Sequence, residues 1–146
     1  MLVYFDSCVL QRPWDDQSQD RVRDETEAFV GLVELVDDGE IEVIDSETLE
    51  SEISKIRQLD RRTGLENMMK SAAVRVKIDA AVEGMAVGFQ SAGIKKLDAF
   101  HLALAVRVPA DVFCTTDDQL RKRGTVLLSP PPRILSPIDL YREFNP

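Results

Sequence analysis

The chain opens on a run of apolar, strand-forming residues, Leu2-Val3-Tyr4-Phe5, that stops abruptly at Asp6-Ser7. A continuous apolar run of this length reads as a strand buried on both faces, with a carboxylate at its C-terminal tip. After a polar segment from Gln11 to Gln19, the spacing of Phe29, Val30, Val33 and Val36 predicts a helix over roughly 20–36, ended by Asp38-Gly39. Ile41 to Ile44 predicts a second strand, and Asp45 or Ser46 caps a helix carrying Glu52, Ile53 and Ile56. Asp60-Arg61-Arg62-Thr63-Gly64 reads as a break. Leu65 to Phe89 then reads as one long helical stretch, with Gly84 and Gly88 as close-packing points. Leu97 to Val106 predicts an apolar helix and Val112 to Thr115 a third strand. Val126 to Leu128 and Ile134-Leu135 read as short strands flanking Pro130-Pro131-Pro132, and a last helix begins after Pro137. Strands alternating with helices predict an α/β fold whose parallel sheet is covered on both faces.

Composition narrows this picture. A chain of 146 residues with 44% apolar content is expected to form one domain with a real core. No stretch approaches a membrane span and no signal peptide precedes the first strand, which predicts a cytoplasmic protein with reduced thiols. Two cysteines, Cys8 and Cys114, suggest neither a disulfide framework nor a zinc site. With a formal charge of −8 any face gripping phosphates must be local, which argues for modest affinity, a basic partner or no nucleic acid at all.

The chemistry-bearing pattern is acidic. Asp6 closes the first strand. Glu52 sits at the edge of its helix's inner face, beside Ile53 and three residues from Leu49, whereas Glu47 and Glu50 read as plain surface acids. Asp98 heads a helix that is apolar almost all round, Ala99 to Val106, where it has little water. His101, one turn on, is the only histidine and reads as a semi-buried, hydrogen-bonded residue rather than a catalyst. Val112-Phe113-Cys114-Thr115-Thr116-Asp117-Asp118 repeats the design of the N-terminus; Asp118 reads as a helix cap, leaving Asp117 free. In open α/β sheets ligands sit at the carboxyl ends of strands, and carboxylates gathered there without cations repel one another. Asp6, Glu52, Asp98 and Asp117 therefore imply a metal ion. Hard oxygen donors without a cysteine pair or second histidine select Mg²⁺ or Mn²⁺, and phosphodiester hydrolysis suits such a site.

Strand-Asp6-Ser7, Ser46…Glu52-Ile53, Leu97-Asp98-Ala99-Phe100-His101-Leu102-Ala103 and Thr115-Thr116-Asp117, in that order, resemble the PIN domain family over residues 2 to about 120. The resemblance implies a three-layer α/β/α sandwich with a short central parallel sheet. It implies a metal-dependent ribonuclease, such as the VapC toxins of bacterial toxin–antitoxin pairs, with RNA as substrate and an antitoxin protein as partner. By resemblance Asp6, Glu52, Asp98 and Asp117 are the metal-binding acids, Thr115 supports them with Ser7 and His101, and a homodimer is expected. A face around Ala72-Ala73, Val76 and Ala80 on the long helical stretch is the expected dimer surface.

The segment Arg12 to Gln19 departs from the family's usual loop. One reading makes it a lid, with Arg12 on a phosphate and Trp14 stacked on a base; the other makes it a surface loop with Trp14 tucked on the core. Two other functions compete with the nuclease: a non-catalytic PIN-like interaction module, and a phosphatase or receiver-type α/β domain. The second wants paired acids at the first strand tip, where this chain has one. No Gly-rich phosphate loop follows any strand, which argues against a nucleotide-cofactor enzyme.

Overall fold

The computed structural model describes residues 1–146. Strand β1 (Leu2–Phe5) ends at Asp6, which caps a single helical turn, α1 (Ser7–Leu10). A 3-10 turn at Arg12–Trp14 precedes α2 (Asp20–Asp37). Then come β2 (Glu42–Ser46), α3 (Glu47–Ser54), α4 (Leu59–Lys70), β3 (Val74–Val76) and α5 (Ala80–Ser91). The chain closes with α6 (Lys96–Arg107), β4 (Val112–Cys114), α7 (Asp118–Leu127), β5 (Arg133–Leu135) and α8 (Pro137–Phe144). All strands are parallel, in the order β3-β2-β1-β4-β5, and helices flank the sheet. This is the architecture of a three-layer sandwich. No helix is long and apolar enough to cross a membrane.

The apolar runs are buried on both faces because they are central. Val3, Tyr4, Phe5, Val112, Phe113 and Cys114 have no exposed surface. Phe5 lies opposite Cys114 across the β1–β4 ladder. Tyr4 stacks on Phe113 with ring centroids 5.5 Å apart, and Phe5 meets Phe29 of α2 edge-on at 5.7 Å. α2 carries α8 against it through Gly31, where any side chain would meet the ring of Tyr141. α5 and α6 pair as a second unit.

Four sequence expectations need correction. Residues 60–64 lie inside α4, not at a break. The stretch from Leu65 to Phe89 is not one helix: Val74–Val76 forms the edge strand β3, paired with Ile44–Ser46. Three residues are too few for alternation to register against helical flanks. Ala72, Ala73, Val76 and Ala80 therefore do not share a helical face, which removes the dimer surface drawn there. Val126 to Leu128 ends α7 rather than making a strand, and Val126 is 86% exposed, so its hydrophobicity marks no burial. A Cβ added at Gly84 or Gly88 would meet nothing within 4 Å, so neither is a close-packing point within the chain.

Candidate functional site

The strand order reverses direction at β1: the chain steps outward through β2 and β3, then returns to lay β4 on β1's other side. The carboxyl ends of β1 and β4 thus form the crevice at which such sheets bind ligands. Asp6 and Thr115 stand there. The Asp6 amide donates to the Cys114 carbonyl at 2.9 Å, extending the ladder one residue beyond the strand. Its carboxylate accepts from Ser7 N–H at 2.8 Å, from the Thr115 hydroxyl at 3.0 Å and from the Cys8 thiol at 3.2 Å. The Thr115 hydroxyl also accepts from Asp117 N–H at 3.1 Å, so one threonine orients both acidic strand ends. Asp117 itself caps α7, accepting from Gln119 and Leu120 N–H at 3.0 Å each. This reverses the sequence expectation: Asp117 is the cap, and Asp118 pairs with Arg21 at 2.8 Å.

Glu52 reaches the same crevice from α3. One carboxylate oxygen accepts from the Ser7 hydroxyl at 2.8 Å, and the other is bonded to His101 Nε2. His101 is 1% exposed, and its Nε2 stands 4.0 Å from Asp6. Its Nδ1 lies 2.6 Å from the Tyr4 hydroxyl, which lies 2.7 Å from the Ser46 hydroxyl. Ser46 in turn caps α3 by accepting from Leu49 N–H at 3.1 Å. In the neutral imidazole, Nε2 donates to Glu52 and Nδ1 accepts from Tyr4, whose oxygen accepts the Ser46 proton; each member of this network is then satisfied. The chain of bonds starts at the cap of α3 and returns to a side chain of α3, closing a ring through the core. Burial pushes the Glu52 carboxyl up, but His101 and the Ser7 hydroxyl outweigh it and hold Glu52 below its ordinary value. Sequence reasoning found His101 and named Ser46 as a candidate helix cap, but gave Tyr4 no polar role. The available signal was one hydroxyl inside an otherwise apolar central strand.

Asp98 lies in the first turn of α6 and is half-buried. Burial pushes its carboxyl above the ordinary range, and the charges of Asp6 and Asp117 push it further. Asp98 thus faces the charges of two other carboxylates across the crevice. The donor set is hard oxygen, which suits Mg²⁺ or Mn²⁺. No three acidic, histidine or cysteine side chains converge on one point, however. Asp6, Glu52 and Asp117 spend oxygens on backbone and side-chain donors.

The lid residues separate. Arg12 donates to Glu25 of α2 at 2.6 Å and to Asp15 at 3.1 Å. Glu25 is 1% exposed and also meets Arg21 at 3.4 Å, so withdrawing Arg12 would remove the nearer of two cations from a buried carboxylate. Arg12 is a strut that fastens the loop to α2, with its guanidinium already paired, unlike the free cation of the lid reading. Trp14 is not tucked on the core: it is 46% exposed, and the Arg61 guanidinium lies 5.6 Å from its ring centroid. Beside Glu52 opens a cleft of about 690 Å³, with Gln11, Lys55, Lys96, Leu97 and Phe100 on its walls. Leu97 and Phe100 belong to the resembling motif, but none of these five was given a site role from sequence.

No protein-family model and no curated protein matches this sequence. Solved structures do. FitAcB from Neisseria gonorrhoeae is similar over 92% of this chain and 97% of its own, at 14% identity and a TM-score of 0.56. VapBC2 from Rickettsia felis, bound to a DNA fragment from their promoter, is similar over 93% of this chain and 97% of its own, at 12% identity and a TM-score of 0.59. At such identities the likeness is one of fold: this α/β chain shares its architecture with a chain in each of those structures.

Proposed function

We propose that the chain is a Mg²⁺- or Mn²⁺-dependent ribonuclease of the PIN type, acting as the toxin of a toxin–antitoxin pair. The observation that carries this reading is the half-buried Asp98 carboxyl, pushed up by burial and by Asp6 and Asp117 across the crevice where the sheet reverses. The likeness to structures named VapBC2 and FitAcB supports it, as does the sequence resemblance over residues 2 to about 120. A net charge of −8 suits a basic protein partner such as an antitoxin.

Asp6, Asp98 and Asp117 would hold the cation, with Glu52 beside it. Such a cation supplies positive charge against phosphoryl oxygens and lowers the pKa of a nearby water. The chain's own residues do the rest. Thr115 and Ser7 N–H fix the Asp6 carboxylate in orientation. His101 and Ser7 hold the Glu52 carboxylate in place and lower its basicity, which suits it to orienting water and balancing charge rather than to taking a proton. His101 positions Glu52 and is itself positioned by Tyr4.

The test is cleavage of a mixed RNA pool with Mn²⁺. Wild type is expected to cut, EDTA to stop it, and Asp98→Asn to lose on the order of 100-fold or more in rate. Equal cleavage by Asp98→Asn and wild type would overturn the assignment of the acidic centre.

A further inference from the structure

Every lysine or arginine that forms an ion pair in this fold is an arginine; the six lysines form none. In a chain of net charge −8, unpaired cations need a reason to collect in one place. Lys55 and Lys96 both line the cleft beside Glu52, together with Gln11 from the end of α1 and with Glu47, whose carboxylate pairs with neither. The Gln11 amide oxygen accepts from Arg61 of α4, and Arg61 lies over the exposed ring of Trp14. Arg61 has no carboxylate partner, and its Nε is buried without a hydrogen bond. Through Gln11, an exposed indole and its guanidinium thus adjoin a cleft that holds two amines and a carboxylate of the candidate centre.

We propose that Trp14, Arg61, Lys55 and Lys96 form a track for single-stranded RNA leading to Glu52. An unpaired base stacks on Trp14, and successive phosphates lie on Arg61, Lys55 and Lys96. The recognition is physical. Base stacking on an aromatic ring tolerates any sequence but needs an unpaired base, and spaced cations follow the phosphate backbone. A duplex hides its base faces and cannot use Trp14. The proposal rests on the ribonuclease reading for its choice of RNA over other polyanions.

The test is binding of a fluorescent single-stranded RNA dodecamer, by anisotropy across a salt series. It is done in EDTA with Asp98→Asn protein, so that no cleavage competes. In that background Lys55→Ala with Lys96→Ala should flatten the dependence of log affinity on log salt by about 1.4, roughly 0.7 for each lost phosphate contact. Trp14→Ala should weaken single-strand binding by about tenfold and leave duplex binding unchanged. Lys70→Ala, a lysine lining a separate hollow by Asp45 and Arg75, should change neither. Four results would overturn the track: an unchanged salt slope, a duplex or single-stranded DNA bound more tightly than the RNA, a Lys70→Ala effect as large as the double variant's, or polyglutamate competing as well as RNA. Failure of the nuclease reading looks different, because it shows as undiminished cleavage by Asp98→Asn whatever binds the track.

Discussion

Tyr4 puts a hydroxyl in the middle of a central strand, where an unpaired polar group costs more than its bond would return. Its oxygen is paired on both sides, with Ser46 and with His101 Nδ1. Tyr4→Phe keeps the stack on Phe113 but leaves His101 Nδ1 buried without a partner. It should cost about 1–3 kcal/mol in urea unfolding. It should also slow RNA cleavage, because His101 then holds Glu52 less firmly. A variant as stable as wild type would show that the hydroxyl has no such task. Cys8 carries a simpler expectation. Burial, with Asp6 next to it, pushes its thiol up to about 12, so the folded protein should not react there with iodoacetamide at pH 8. At this scale Asp6 and Asp98 stood out in the sequence, since one acid ends an apolar run and the other heads one. The Tyr4–His101 pair did not, because the two residues lie 97 positions apart and only the folded sheet brings them together.

The segment from β2 through α3 and α4 to β3 holds a second acidic pair, away from the crevice. Asp45, at the end of β2, is 2% exposed and shares a hollow with Glu50 and Arg75. Burial, and then Glu50, raise its carboxyl to about 6. A carboxyl raised in the folded state stabilises fully below its unfolded value near 3.8 and loses that contribution as pH climbs through about 6. Unfolding free energy should therefore fall between about pH 4 and pH 6 on account of Asp45. Asp45→Asn keeps the oxygen that accepts from Ser46 N–H, should flatten that fall, and should gain up to about 3 kcal/mol at pH 7. A pH profile of denaturation parallel to that of wild type would refute this. Helices α2, α3, α6 and α8 were readable from apolar periodicity and caps. β3 was not, since a three-residue edge strand pairs through its backbone and shows no run of its own.

Over the whole molecule, alternating strands and helices announced a parallel α/β fold, but not the order of the sheet. The order matters more, because the reversal at β1 is what brings Asp6 and Asp117 to one crevice and Asp98 within range of their charge. That charge predicts a response of the entire fold. Mn²⁺ at about 100 times its dissociation constant should stabilise the native state by about 2.7 kcal/mol, seen as a rise of several degrees in melting temperature. Metal-free Asp98→Asn should melt no lower than metal-free wild type and should lose most of the Mn²⁺ response. A melting temperature indifferent to millimolar Mn²⁺ in both proteins would remove the metal from the account. The cations of the cleft were illegible for the same reason as the sheet order: Gln11, Lys55, Arg61 and Lys96 come from separate elements, and in sequence each is an ordinary surface residue.

The division of labour between arginine and lysine has a practical corollary. Acylating reagents that cap primary amines leave guanidinium groups alone. Here they would neutralise all six lysines without touching one ion pair that ties elements together. Acetylation in solution, chemical or enzymatic, would thus reset the protein's attraction for polyanions while leaving its architecture standing.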